Sequence, residues 1–244
     1  MPDRSVQPDL RRIDTVLFDK DGTLLDFDAT FGRATAKVIA DLVNAHGGEA
    51  ERVAAALGFR PDGETFEATS VVLAGSLEDI ADEVRPLLSA PPERLSERID
   101  ERYRQHTEHD LRLIEDVLTM LDRLGARGVQ LGIVTNDTQA TAAHQLGILG
   151  IAERFGAIVG CDSGHGAKPS GGGVRAAMEM LGGTARRTLM VGDSARDCAA
   201  ARDAGVFAVA VLTGHEDGDR LRAMADLTLP SAAALADVLE GAET

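Results

Sequence analysis

Val16-Leu17-Phe18-Asp19-Lys20-Asp21-Gly22-Thr23 is an apolar run that ends in two aspartates two residues apart, a glycine and a threonine. A short stretch that is apolar on both faces predicts a buried parallel strand. Alternate side chains of a strand share a face, so Asp19 and Asp21 are expected to point into the same space. Lys20 is then expected to point the other way, into an ion pair or to the surface. Two carboxylates crowded at a strand end repel each other unless a cation holds them. A hard divalent ion such as Mg2+ suits oxygen ligands of this kind. The pattern suggests metal-assisted chemistry, with one carboxylate free to attack or to move a proton. The plain alternative is a strand that ends in an Asp-Gly turn.

Working outward, four more β-like runs follow at Leu131–Thr135, Ala157–Val159, Leu189–Val191 and Ala208–Leu212. Helical patterns fall at Asp116–Arg127, Thr138–Leu149, Val174–Leu181 and Ala195–Ala204. Alternation of this kind predicts an α/β fold with a doubly wound parallel sheet. The gap between the first two strands is different. It contains no convincing strand and reads as amphipathic helices at Thr30–Ala45, Ala50–Leu57, Leu77–Leu88 and Pro92–Glu108, with a loop at Phe59–Thr65. That is too much helix for a simple crossover. The expected organisation is a core of residues 1–25 and 111–244, with an all-helical domain of residues 26–110 inserted into it. Gly171-Gly172-Gly173 reads as a short flexible segment, and the first dozen residues as a loose polar tail.

Composition narrows the function. The chain has 244 residues, 44% of them hydrophobic, which is enough for a real core. Aromatics make up only 3%, so Ala, Val and Leu must do most of the packing. A net charge of −15 argues against binding nucleic acid or an anionic membrane. It also means that any phosphate site must be made locally positive by a metal, a lysine or backbone N–H groups. Cys161 and Cys198 form no disulfide framework and no metal-binding spacing, which fits a reducing, cytoplasmic setting. No signal peptide and no membrane span are expected.

In an open parallel sheet, ligands bind beyond the carboxyl ends of the strands. Three further polar clusters fall there. Thr135-Asn136-Asp137 could hold phosphate oxygens through the Thr hydroxyl and the backbone N–H groups. The same residues also suit a helix N-cap. Lys168, before Pro169, could reach a phosphate as a point charge, or could be an ordinary exposed lysine. Asp193 and Asp197 are four apart at a helix start, a place where acidic residues are also favoured by the helix dipole alone. Gly192 permits a tight turn between strand and helix. Four carboxylates converging with one lysine make a divalent-metal phosphate site.

The ordered set DKDGT, VTN, KP and GDSARD resembles the haloacid dehalogenase-like superfamily of phosphotransferases, and within it the phosphoglycolate phosphatase-like branch. The resemblance runs from about Asp14 to about Ser231. It implies a Rossmann-like core with a helical cap inserted after the first motif. It implies that Asp19 is the nucleophile and forms an aspartyl-phosphate. Asp21 would act as acid and then base, Thr135 and the Asn136 backbone would bind the phosphoryl group, and Lys168 would neutralise charge on both. Mg2+ would be held by Asp19, the Asp21 backbone carbonyl and Asp193, with Asp197 in the outer shell. Lys20 departs from the apolar residue usual between the two aspartates.

The expected activity is a Mg2+-dependent phosphatase acting on a small phosphorylated metabolite, 2-phosphoglycolate being one candidate. A phosphomutase, a broad sugar-phosphate or nucleotide phosphatase, and a phosphate-binding or regulatory domain with little turnover are the alternatives. A monomer or homodimer is expected. Substrate choice is expected to come from the cap, which closes over the leaving group and excludes water. Arg60, Thr65, Ser70 and Ser76 are its candidate polar residues. Arg60 suits a substrate carboxylate best, because its guanidinium fork matches one.

Overall fold

The computed structural model describes residues 9–241. The chain divides into two compact units, one running to Asp26 and again from Leu113, the other Phe27–Arg112. The elements, in chain order, begin with β1 (Thr15–Phe18), α1 (Phe27–His46), α2 (Ala50–Ala56), β2 (Phe59–Arg60) and β3 (Thr65–Phe66). They continue with α3 (Val71–Ala74), α4 (Leu77–Val84), α5 (Leu95–Thr107), α6 (Val117–Ala126), β4 (Gln130–Val134), α7 (Gln139–Ile148) and β5 (Ala157–Val159). The last third holds α8 (Gly172–Met180), β6 (Thr188–Gly192), α9 (Ala195–Ala204), β7 (Phe207–Val211), α10 (Gly218–Met224), β8 (Leu227–Leu229) and α11 (Leu235–Gly241).

The first unit is built on a parallel sheet in the order β5-β4-β1-β6-β7-β8. β1 lies in the middle. The chain winds outward through β4 and β5 on one side, then returns to build β6, β7 and β8 on the other. This is the doubly wound arrangement expected. The five expected strands form with ends shifted by at most one residue. β8 was not anticipated, because a three-residue Leu-Thr-Leu stretch shows too little periodicity to stand out. β1 and β6 are buried along their whole length. One sheet face packs Leu17, Val134, Val159, Met190 and Ala210 against Val174 and Ala177 of α8 and Cys198 and Ala201 of α9. These are small and medium side chains, as the composition requires.

The second unit is mostly helical, with one correction. β2 and β3 form a two-stranded antiparallel hairpin in the segment expected to be a loop between helices. Two-residue strands carry no readable alternation. They are held by Phe59 against Phe66, ring centroids 5.3 Å apart. Phe27, Phe31 and Tyr103 complete an aromatic cluster in this unit's core. The scarce aromatics are therefore concentrated here. α4 stops at Val84 and passes into a 3-10 turn, Arg85–Leu87, because Pro86 cannot supply the N–H that an α-helix needs.

Two loop expectations also change. The triple glycine is not a flexible segment. A Cβ on Gly171 would lie 2.5 Å from Ala204 N, and one on Gly172 would lie 2.0 Å from His165 O, so close backbone approach at the start of α8 demands glycine. The expected loose tail lies outside the described residues up to residue 8, and Leu10–Arg12 forms a 3-10 turn. Among the described residues no helix is long and apolar enough to cross a membrane.

Candidate active site

The carboxyl ends of β4, β1 and β6 are adjacent in the sheet, at the point where the strand order reverses. Phe18 pairs with Ile133 on one side and Val191 on the other, and Asp19 N donates to Val191 O at 2.8 Å. The residues just past these strands, Asp19, Thr135 and Asp193, therefore meet at one edge. This is where a doubly wound sheet places its ligands.

Lys168 is buried and joins the cluster rather than facing solvent. Its Nζ lies 2.7 Å from Asp19 Oδ1 and 2.7 Å from Asp197 Oδ1. The backbone that carries it is pinned by Asn136, whose Oδ1 accepts from Lys168 N at 2.8 Å and whose Nδ2 donates to Lys168 O at 3.1 Å. This amide clamp by the Asn136 side chain was not anticipated; the sequence pointed only to its backbone. Asp197 uses its other oxygen on the helix it starts, accepting from Ser194 N at 3.1 Å and Ser194 Oγ at 2.6 Å. The cap of α7 is Thr138, whose Oγ1 accepts from Thr141 N. Thr135 is thus free of that duty. Its hydroxyl accepts from Asp137 N at 3.1 Å at the strand edge.

Two glycines make room for the Asp193 carboxylate. A Cβ on Gly22 would come within 2.4 Å of Asp193 Oδ2, and one on Gly214 within 1.9 Å. Thr23 donates its hydroxyl to Asp193 Oδ1 at 3.1 Å, and Thr213 donates to Gly22 O at 2.6 Å. Thr23, Thr213 and Gly214 carry no signal of their own in the sequence beyond the DKDGT motif. Carboxylate oxygens of Asp19, Asp193 and Asp197 lie within 4.8 Å of one another. Burial, then Asp19 and Asp197, hold Asp193 well above the usual carboxylate range. Burial pushes Asp19 up to about 7, with Lys168 opposing and Asp197 and Asp21 adding. Without a further cation this cluster resists full ionisation. Its all-oxygen donors and unmet negative charge fit Mg2+.

Lys20 takes the expected ion-pair role but corrects the expected direction. It is fully buried and does not point away from both aspartates. Its Nζ donates to both carboxylate oxygens of Asp21 at 2.6 Å and lies 2.9 Å from Asp137 Oδ2. The reason is that β1 ends at Phe18, so strand alternation no longer governs Lys20. The chain instead curls back, with Leu24 N and Leu25 N both donating to Lys20 O at 2.9 Å and Gly22 at a φ of 72°. Burial alone would lower this ammonium's pKa, but Asp137 and Asp21 outweigh it and leave it above its usual range. Burial raises Asp21 to about 6, with Lys20 opposing and Asp137 adding.

The candidates in the second unit have separate placements. Ser70 is buried, donates to Leu57 O at 2.5 Å and caps α3. Ser76 caps α4 in a reciprocal box with Asp79. Both are occupied by helix starts. Arg60 is exposed and pairs with Glu67 at 3.3 Å, and Thr65 is its neighbour across the hairpin.

A family model described as haloacid dehalogenase-like hydrolase matches residues 13–205. A phosphoglycolate phosphatase of Chromobacterium violaceum is 34% identical over 95% of this chain and 98% of its own length. One from Agrobacterium fabrum is 31% identical over 91% of each chain. Among solved structures, CbbY from Rhodobacter sphaeroides in complex with phosphate superimposes with a TM-score of 0.71 at 21% identity, over 91% of this chain and 96% of that one. The last likeness speaks for the fold alone.

Proposed function

This chain belongs to the haloacid dehalogenase-like hydrolases, and from that premise we propose that it hydrolyses a small phosphate monoester through an aspartyl-phosphate on Asp19. The observation that carries the reading is the pairing of the Asp19 carboxylate with Lys168, itself anchored by Asp197 and Asn136. An anionic nucleophile must meet an anionic phosphate, and a buried ammonium beside it lowers that repulsion. Lys168 would hold Asp19 and the incoming phosphoryl oxygens together. The Thr135 hydroxyl and the Asn136 backbone N–H would take the remaining oxygens.

In the first step a carboxylate oxygen of Asp19 bonds to phosphorus as the ester P–O bond breaks. The leaving oxygen takes its proton from Asp21. In the second step Asp21 removes a proton from water as that water attacks phosphorus. Phosphate departs and the Asp19 carboxylate is restored. A pKa of about 6, set chiefly by burial, lets Asp21 give and then take a proton near neutral pH. Mg2+, held by Asp19, the Asp21 carbonyl and Asp193 with Asp197 behind, would neutralise charge on the transferring group.

The phosphoglycolate phosphatases among its relatives make 2-phosphoglycolate the first substrate to try. Substrate choice is assigned to the helical unit, with Arg60 for a substrate carboxylate. Arg60→Ala should raise KM for phosphoglycolate, and an unchanged KM removes Arg60 from the reading. The main test is phosphate release from phosphoglycolate, sugar phosphates and nucleotides, with and without Mg2+. Turnover should need Mg2+ and vanish in Asp19→Asn. Turnover that survives Asp19→Asn would exclude Asp19 as nucleophile, and no turnover on any ester would favour a binding role.

A further inference from the structure

Two ion triads stand side by side at this sheet edge. In one, Lys168 joins Asp19 to Asp197. In the other, Lys20 joins Asp21 to Asp137. The first belongs to the family pattern. In the second, Lys20 and Asp137 lie outside the residues to which the resemblance gives a role. We propose that Lys20, backed by Asp137, is a positioning residue that holds the Asp21 carboxylate in the orientation needed to protonate the leaving oxygen.

The geometry supports this in three ways. Lys20 grips both Asp21 oxygens at an equal 2.6 Å, which fixes the plane of the carboxylate as a single bond would not. Lys20 has 0% relative exposure and its backbone is tied into the turn that carries Asp21, so the ammonium has little freedom to move. Asp137 is anchored in turn: its N–H donates to Thr135 Oγ1, and its carbonyl accepts from Cys161 N at 2.9 Å. The Asp21 side chain keeps 17% exposure and is not sealed away from a reacting group. Burying a lysine is costly without paired carboxylates, and here two are supplied.

This inference rests on Asp21 being the acid of the proposed reaction, so the experiment reads that step directly. kcat/KM would be measured for 2-phosphoglycolate, whose alkoxide leaving group needs a proton, and for p-nitrophenyl phosphate, whose leaving group does not. Asp21→Asn should lose far more on the alkyl ester. Lys20→Met should show the same bias, with a loss of roughly 10- to 100-fold on phosphoglycolate and little on the aryl ester. Asp137→Asn should show it more weakly.

Lys20→Met leaves Asp21 and Asp137 facing each other without a counterion and could fail to fold. Lys20→Met/Asp137→Asn removes that repulsion and should carry the same bias. Melting curves establish which variants are folded. A folded variant lacking Lys20 that keeps the wild-type ratio between the two esters overturns the proposal. Equal losses on both esters in Asp21→Asn would instead remove the acid role of Asp21 itself, a separate failure.

Discussion

Asp197 has two oxygens and two duties. One accepts from Ser194 and fixes the start of α9; the other holds Lys168 against Asp19. That arrangement leaves no room at Gly192, where a Cβ would lie 2.2 Å from Asp197 Cγ. The sequence suggested that Gly192 serves a tight turn, but its φ is not positive; the glycine is there because a carboxylate passes over it. Gly192→Ala should therefore displace Asp197 and, through it, Lys168. A misplacement of about 1 Å at a reacting group costs on the order of 100-fold in rate, so kcat should fall by roughly that factor while the protein still melts cooperatively. A variant with wild-type kcat would show that the site tolerates movement of Asp197. The carboxylates themselves were legible as a set, because DKDGT and GDSARD are local patterns. The direction of Lys20, though not its ion-pair role, was misread, since it depends on where β1 stops and the chain curls back.

At the level of elements, the buried strands were legible within a residue and the expected helices within about four, because apolar periodicity reports burial directly. The β2–β3 hairpin was not. It depends on α1, where a Cβ on Gly32 would lie 2.0 Å from Glu64 O at the hairpin turn. Glu64 is itself held at a positive φ of 51°. Gly32→Ala is a useful test of this packing. Helix propensity alone predicts a gain of about 1 kcal/mol. The overlap with a backbone carbonyl predicts the opposite, a loss of roughly 1–3 kcal/mol. Denaturant unfolding should show destabilisation. A stabilised Gly32→Ala protein would mean that the hairpin moves aside at no cost. Asp116 makes a similar point: it was expected as the first residue of a helix, yet it lies just before α6 at φ 62° and makes no side-chain cap bond.

For the whole molecule, the dominant electrostatic fact is five carboxylates, of Asp19, Asp21, Asp137, Asp193 and Asp197, facing two ammonium groups at one sheet edge. In the metal-free protein Asp19 rises from 3.8 to about 7 and Asp21 from 3.8 to about 6, burial being the main cause in each. Between those values the folded state binds more protons than the unfolded one. The stability this contributes is complete below about pH 3.8 and is lost as pH climbs through 6 to 7. Mg2+ competes with those protons, so its stabilising effect should grow with pH. Melting midpoints in EDTA and in Mg2+ at about pH 5 and pH 7.5 would check this, with a shift of ~2–4 °C for each kcal/mol gained. A Mg2+ shift of the same size at both pH values, or none, would speak against metal binding at these carboxylates.

The sequence by itself determined the α/β class, the order of the strands along the chain, the long helical insertion and the acidic and basic residues of the motifs. All of these are written in local periodicity and short spacings. The tertiary structure alone decided the partner of each charge: Lys168 with Asp197, Asn136 with the Lys168 backbone, Lys20 with Asp21 and Asp137. It also decided which glycines are forced by carboxylates or carbonyls passing close by. Apart from Lys20 with its neighbour Asp21, such pairings join residues dozens to more than a hundred positions apart, and no local pattern records which strand ends a parallel sheet will bring together.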